Sequence, residues 1–238
     1  MKRILLFLLP LLLSLTFYSC DFSIKKGEGA IGDKEVILSS NIKQISAEGS
    51  FRIIFLYDSI NPRMVIESYK NIQDNVKMSN SNGKLKLSES RSVENIDLYN
   101  VYIYLSDIEK VELYDKVNMD VNSQFRLSKL SIKLEDQSKF LANSLVVDNM
   151  TVKVSDNAKI NLQGEGTSLN LTVDDEADFS APFYETDNAN INLSNVSTAE
   201  LNVKSRLIGK ISDNSILTLI GNPAKEIKQT NLAKIIQK

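Results

Sequence analysis

Histidine and tryptophan are both absent from this chain of 238 residues, and cysteine occurs once. Without histidine there is no Ser-His-Asp or Cys-His nucleophile and no His-ligated zinc. Without tryptophan a sugar-stacking lectin platform loses its broadest aromatic, which the eight tyrosines replace only in part. A lone cysteine excludes a disulfide within the chain. Charge of one sign is also lacking: the net charge of −2 gives no general drive toward nucleic acid or an anionic membrane. No nucleic-acid partner is expected.

What is present begins with Met1-Lys2-Arg3 and an apolar run over residues 4–13, too short to span a bilayer. Residues 1–20 read as a secretory lipoprotein signal rather than a transmembrane helix. Its last residue, Cys20, is the expected lipidation site, because the small Ser19 precedes it as in a bacterial lipobox. Phe17 and Tyr18 are bulkier than the usual residues there. A lipid on Cys20 would anchor the protein to the outer membrane, on its periplasmic face or at the cell surface. Residues 21–35 are polar and punctuated by glycine, which suits a flexible tether.

From Ile42 to Leu105 the apolar period is two, as in Phe51-Arg52-Ile53-Ile54-Phe55 and Val101-Tyr102-Ile103-Tyr104-Leu105. Turn signals interrupt it at Asn61-Pro62 and Asn82-Gly83, where Gly83 suits the positive φ of a tight turn. Beyond Val111 one motif recurs six times, on Asp115, Asp136, Asp156, Asp175, Asn195 and Asp213. Apolar residues generally sit four and two places before the anchor, and small or apolar ones two and four places after it. The spacing of roughly twenty residues predicts stacked coils. Around Asp156, period two assigns Val152, Val154, Ala158, Ile160 and Leu162 inward, and Lys153, Lys159 and Asn161 outward. Ile132, Leu134, Leu171, Val173, Phe179, Ile191, Leu193, Ile211 and Leu217 take the same inward role in other coils. The predicted fold is an all-β, single-stranded parallel β-helix or β-solenoid over residues 36–223. Residues 224–238, with lysines between Ile227, Leu232, Ile235 and Ile236, read as a cap or tail: an amphipathic helix that closes the last coil or touches membrane.

The closing string Ile211-Ser212-Asp213-Asn214-Ser215-Ile216-Leu217-Thr218-Leu219-Ile220-Gly221-Asn222-Pro223 resembles the C-terminal signature of the autotransporter-adhesin head family, the GIN domain. The segment from Ile45 to Phe55, then Asn82-Gly83-Lys84-Leu85-Lys86-Leu87 and Val101-Tyr102-Ile103-Tyr104-Leu105, resembles the family's first strands in order. The likeness covers about residues 42–223. Its coils commonly turn on Ser-Gly strings, where this chain has Glu135-Asp136, Ser155-Asp156 and Asp174-Asp175. The resemblance implies a parallel β-helix, a cell-envelope location and no established activity, with no catalytic residues to carry over.

Three groups are candidate sites. Stacked coils would file the anchor carboxylates along one edge, where Asp136, Asp156 and Asp175 could share Ca²⁺. Aspartate is also a favoured turn residue, and Asn195 breaks the file, so turn chemistry is the leading reading. The acidic run Asp174-Asp175-Glu176-Ala177-Asp178 could supply acid and base to a polysaccharide-acting lyase or hydrolase, with Lys153, Lys159, Lys204 or Arg206 as a basic partner. A solvated face is the plainer account. Tyr102 and Tyr104 share parity within a local group that also holds Tyr99 and Tyr114, and could present an aromatic surface to a glycan or an envelope protein. Asp58-Ser59-Ile60 resembles a short bacterial O-glycosylation string. The combined reading is a non-enzymatic envelope lipoprotein that binds a ligand without a cofactor, with the enzyme and a purely structural role as alternatives. Metabolic labelling with a palmitate analogue should mark the wild-type protein and leave Cys20→Ala unlabelled and released from membranes.

Overall fold

Residues 24–238 are described by the computed structural model. In chain order the strands are β1 (Ile31–Ile37), β2 (Gln44–Gly49), β3 (Arg52–Tyr57) and β4 (Arg63–Tyr69), then a single helical turn α1 (Lys70–Gln73). They continue with β5 (Val76–Ser81), β6 (Lys84–Glu89), β7 (Tyr99–Leu105), β8 (Lys110–Asp115), β9 (Asn118–Val121) and β10 (Phe125–Leu134). The long strands β11 (Lys139–Val154), β12 (Lys159–Val173), β13 (Asp178–Leu193) and β14 (Thr198–Ile211) follow. The chain closes with β15 (Ile216–Ile220), β16 (Ala224–Gln229) and β17 (Lys234–Gln237).

From β8 onward every pairing is parallel and each coil lies on the one before it. The fold is the all-β solenoid that the repeat predicts. Register carries inward residues directly over one another: Leu113, Leu134, Val154, Val173, Leu193 and Ile211 form one file across six coils. All fourteen residues assigned inward from Ile132 and Leu134 to Leu217 are among the buried core. A coil alone would bury little, so the stack supplies both its hydrogen bonds and its core.

Each long strand bends rather than running straight. In β11 the alternation breaks twice, at Asn143-Ser144 and Asp148-Asn149, where two consecutive residues point outward. These corners divide the coil into three short faces, with inward Phe140 and Ala142, then Leu145 and Val147, then Met150, Val152 and Val154. In β12 a corner falls on Gly164 at φ +138, where a Cβ would lie 2.0 Å from the Leu145 carbonyl oxygen. No side chain fits there.

The turns close on the predicted anchors. Asp115, Asp136, Asp156, Asp175, Asn195 and Asp213 all have φ between 57° and 62°. Two places after each anchor, the N–H of Val117, Ser138, Ala158, Ala177, Ser197 or Ser215 donates to the carbonyl one place before it, at 3.3 or 3.4 Å. Those second residues are buried and mostly small, since a larger side chain would enter the core beneath the turn. Aspartate and asparagine accept the left-handed region better than other residues with a Cβ.

The first third is not sequentially stacked. The coil β2–β3 lies between β6–β7 on one side and β8–β9 on the other. Three antiparallel pairings close this end: β4 on β7, β1 on β4, and the β5–β6 hairpin. Gly83 turns that hairpin at φ +73, as its place after Asn82 suggests.

Two expectations need correction. The tether stops short of residue 35, because Ile31–Ile37 is a strand whose Val36 packs on the core. Residues 224–238 form no helix: β16 and β17 add parallel strands to β14 and β15. Asn231 accounts for this, since its φ of 56° makes it a further anchor, 18 residues after Asp213, with Ala233 buried beneath it. Its amide donates to Asp213 Oδ1 at 2.6 Å. In urea unfolding, Ile160→Ala should cost about 2–5 kcal/mol, while Lys159→Ala should stay within about 0.5 kcal/mol of wild type.

Candidate binding surface

Antiparallel pairing sets the outer surface at the N-terminal end. Ile37 faces Arg63, which faces Tyr104; Glu35 faces Val65, which faces Tyr102; Asp33 faces Glu67, which faces Asn100. These nine residues form a grid of three rows across β1, β4 and β7, because alternate positions of paired strands share a face. Their neighbours Val36, Met64, Ile66, Val101 and Ile103 point the other way, into or against the core.

Tyr102 and Tyr104 are therefore adjacent and half-buried on this face. Glu67 Oε2 accepts from the Tyr102 hydroxyl at 2.9 Å and from the Asn100 amide at 3.0 Å. Partial burial, with Glu67 alongside, raises the Tyr102 pKa above that of a free phenol. The Arg63 guanidinium lies over the Tyr104 ring, 3.7 Å from its centroid, in a cation–π contact. Arg63 also donates to Asp58 Oδ2 at 2.7 Å. Asp58 Oδ1 in turn accepts the N–H groups of Ile60 and Asn61, at 2.9 and 3.0 Å. Those backbone bonds from Asn61 and Ile60, with Arg63, hold the Asp58 carboxyl at about 2, below its ordinary 3.8.

The grid lines a shallow groove of about 440 Å³ between Asp33, Glu35, Arg63, Val65, Glu67 and the two tyrosines. A second hollow of about 460 Å³ adjoins it at Arg63 and Glu35, edged by Ile37, Ile60 and Pro62. Ile37 and Ile60 are 85 % and 82 % exposed, an unusual display for two isoleucines on one corner. Asp33 and Glu35 make no hydrogen bond or ion pair among the described residues, so the groove carries free negative charge beside an apolar rim.

The other candidates fall elsewhere. Tyr99 points inward, edge-on to Phe51 at 5.6 Å, and Tyr114 lies on β8 with Lys133 over its ring. The tyrosine group thus divides, and only Tyr102 and Tyr104 share a surface. Asp136, Asp156 and Asp175 sit on the turn column, where their oxygens tie coil to coil. Asp136 Oδ2 accepts the Asp115 N–H at 3.0 Å, and Asp156 Oδ2 the Asp136 N–H at 3.4 Å. Asp175 Oδ1 accepts the Asn195 amide at 3.2 Å. Among the described residues no three His, Cys, Asp or Glu side chains gather as a metal site.

The acidic run is engaged in the same way. Asp174 Oδ1 accepts from Ser194 and Asn195, both at 2.7 Å, and Asp178 Oδ1 from Thr198 at 2.6 Å. Lys204 pairs with Glu185 at 2.5 Å and Arg206 with Glu226 at 2.9 Å. A hollow of about 320 Å³ at the head of the turn column is lined by Glu89, Asp115 and Asp136 among others. Burial raises the Glu89 pKa there, and Ser50 satisfies its carboxylate through N–H and Oγ at 3.0 and 2.9 Å. Cys20 lies outside the described residues.

Comparison with known proteins agrees with this architecture. The family model described as "Putative auto-transporter adhesin, head GIN domain" matches residues 41–223. The chain belongs to this family. Among solved structures, a protein titled a "putative adhesin" from Bacteroides fragilis is 13 % identical with a TM-score of 0.81, over 89 % of this chain and 98 % of that one. Another so titled, from Parabacteroides merdae, is 15 % identical with a TM-score of 0.69 over the same shares. A "Putative lipid binding protein" from Parabacteroides distasonis, 13 % identical, also has a TM-score of 0.69 over the same shares. At such identities these likenesses establish the fold of the GIN domain and nothing about its ligand. No curated protein matches the chain.

Sequence reasoning missed Arg63, Asp33 and Glu35 as parts of this surface. A signal was there for β4, where Arg63, Val65 and Glu67 alternate with Met64, Ile66 and Ser68. The Asp58 knot makes a pH test available. A depressed carboxyl pKa stabilises the ionised loop above 3.8 and loses that contribution as pH falls toward 2. In a pH titration by NMR, the Ile60 and Asn61 amides should hold their exchange protection at pH 5 and lose it between pH 4 and pH 2. Asp58→Asn should weaken that protection at neutral pH.

Proposed function

We propose that this protein is a non-enzymatic binding module of the cell envelope, held to the outer membrane by lipid on Cys20. It engages an envelope protein or a glycan through the outer face of β1, β4 and β7. The observation that carries this reading is the grid itself. Two tyrosines are locked in place by Glu67 and Arg63, next to unpaired carboxylates and two isoleucines in solvent. Fixed side chains lose little entropy on binding, and aromatic residues with apolar neighbours contribute most of the energy at interfaces. Membership in an adhesin-head family supports it. A polysaccharide-acting enzyme is the weaker reading, because the carboxylates of Asp174 and Asp178 are occupied between coils and Lys204 and Arg206 are paired with glutamates.

The test is a glycan array and an envelope pull-down run beside reducing-sugar and unsaturated-product assays. Saturable binding without turnover is expected, and Tyr102→Ala with Tyr104→Ala should weaken it about tenfold. Turnover that an outward Asp or Lys substitution abolishes without unfolding the chain would overturn the binding reading.

A further inference from the structure

We infer that the free edge of β1 is a strand-addition site for an extended peptide segment that carries Lys or Arg at two alternate positions, with an apolar residue on either side. The inference rests on the binding reading above and gives its surface a partner class. Among the described residues β1 pairs with β4 alone. The direction of its backbone groups follows from two bonds at its ends. The Leu38 N–H donates to the Pro62 carbonyl at 3.0 Å, and the Ala30 carbonyl accepts from the Lys70 N–H at 3.2 Å. Even-numbered residues therefore turn their N–H and C=O toward β4 and α1. The odd-numbered Ile31, Asp33, Glu35 and Ile37 turn theirs toward the open edge.

The same four residues place their side chains on the outer face, since side-chain direction and hydrogen-bond direction alternate together along a strand. An added strand would meet, in order, an apolar, an acidic, an acidic and an apolar position. Ile31 and Ile37 are 52 % and 85 % exposed. Asp33 makes no hydrogen bond or ion pair among the described residues, and Glu35 meets only the field of the neighbouring Arg63. Opposite charges on directly facing positions stabilise a strand pair, and like charges destabilise it. The complementary segment thus reads apolar, basic, basic, apolar at every second residue. Backbone bonds would supply the affinity and these four contacts the selection.

Charge alone has a plainer account, since charged side chains on an edge strand discourage pairing with another copy. Antiparallel pairing of two β1 strands with Ile31 opposite Ile37 would bring Asp33 against Glu35, a like-charge contact that disfavours self-pairing. A guard does not account for isoleucine at both ends, which a repelling edge has no use for. The free edges at the other end are guarded differently. There β16 and β17 carry Lys225, Lys228 and Lys234. The groove beside β1 adds the Val65 and Tyr102 surfaces on which long basic side chains can lay their stems.

The experiment measures binding of a synthetic peptide, Val-Thr-Lys-Thr-Arg-Thr-Ile, to the full-length chain by fluorescence anisotropy, with amide exchange read by NMR. Binding should saturate, weaken with added salt, and newly protect the amides of Asp33, Glu35 and Ile37. A peptide with Glu in place of Lys and Arg should not bind. Asp33→Asn with Glu35→Gln should weaken binding about tenfold or more. Ile37→Pro should also weaken it, because it removes an open-edge donor and no bond to β4. Circular dichroism checks that each variant folds. The inference fails if the carboxamide variant binds the peptide as wild type does, or if protection appears on other strands. An envelope partner still captured by that variant would sink the edge assignment and leave the binding module standing. Absence of any partner and of peptide binding would sink both.

Discussion

Parallel hydrogen bonding between successive coils is the constraint on which the molecule depends. A coil of this chain has no partner within itself. Its N–H and C=O groups point up and down the stack, and its inward residues meet their counterparts only in the coils above and below. Burying such a backbone unpaired would cost a few kcal/mol for each group. The coils must therefore have nearly equal length, because a residue gained or lost within a straight face would turn the later side chains of that face the wrong way. The departures from twenty are absorbed at corners, where register shifts fall between Ala142 and Leu145, Asn161 and Gln163, and Ala181 and Glu185.

Equal coils need a turn that repeats without error, and the left-handed anchor provides it. A residue with a Cβ costs roughly 1–2 kcal/mol in that conformation. Aspartate and asparagine reduce that cost and return something besides, because their side chains accept or donate to the neighbouring turn. The anchor position holds acids and amides alike because either can tie one turn to the next. The column that holds Asp136, Asp156 and Asp175 carries side-chain ties from coil to coil. The same logic lets the last coil form on Asn231, with no helix needed to end the stack.

The two ends of the solenoid solve the edge problem in different ways. The C-terminal strands stay in the parallel lattice and show lysines at their rim. At the N-terminal end the chain leaves the lattice, doubles back through β4 and β1, and presents an outer face that no later coil repeats. Regular coils offer a surface rich in Asn, Ser, Asp and Lys, with Phe183 and Val196 exposed among them. The irregular end is where aromatic, acidic and apolar side chains are brought together, and the rigid stack behind them holds them in place.

Period-two alternation and the recurring anchor were legible in the chain because each is a local pattern with a local cause. Alternation reports which face is wet, and Asp or Asn reports a left-handed turn. From those alone come the all-β class, the coil length and the inward residues from Ile132 to Leu217. The middle face, with Leu145 and Val147, and the start of the next at Met150 escaped because two corners break the alternation within one strand. The Tyr102–Arg63–Glu35 surface escaped for a different reason. It depends on which strand lies beside which, and β1 pairs with β4 across the 25 residues between them in an antiparallel sense that no repeat encodes. Local sequence determined what each segment becomes. Only the packing of the first coil between two others decided which side chains would meet.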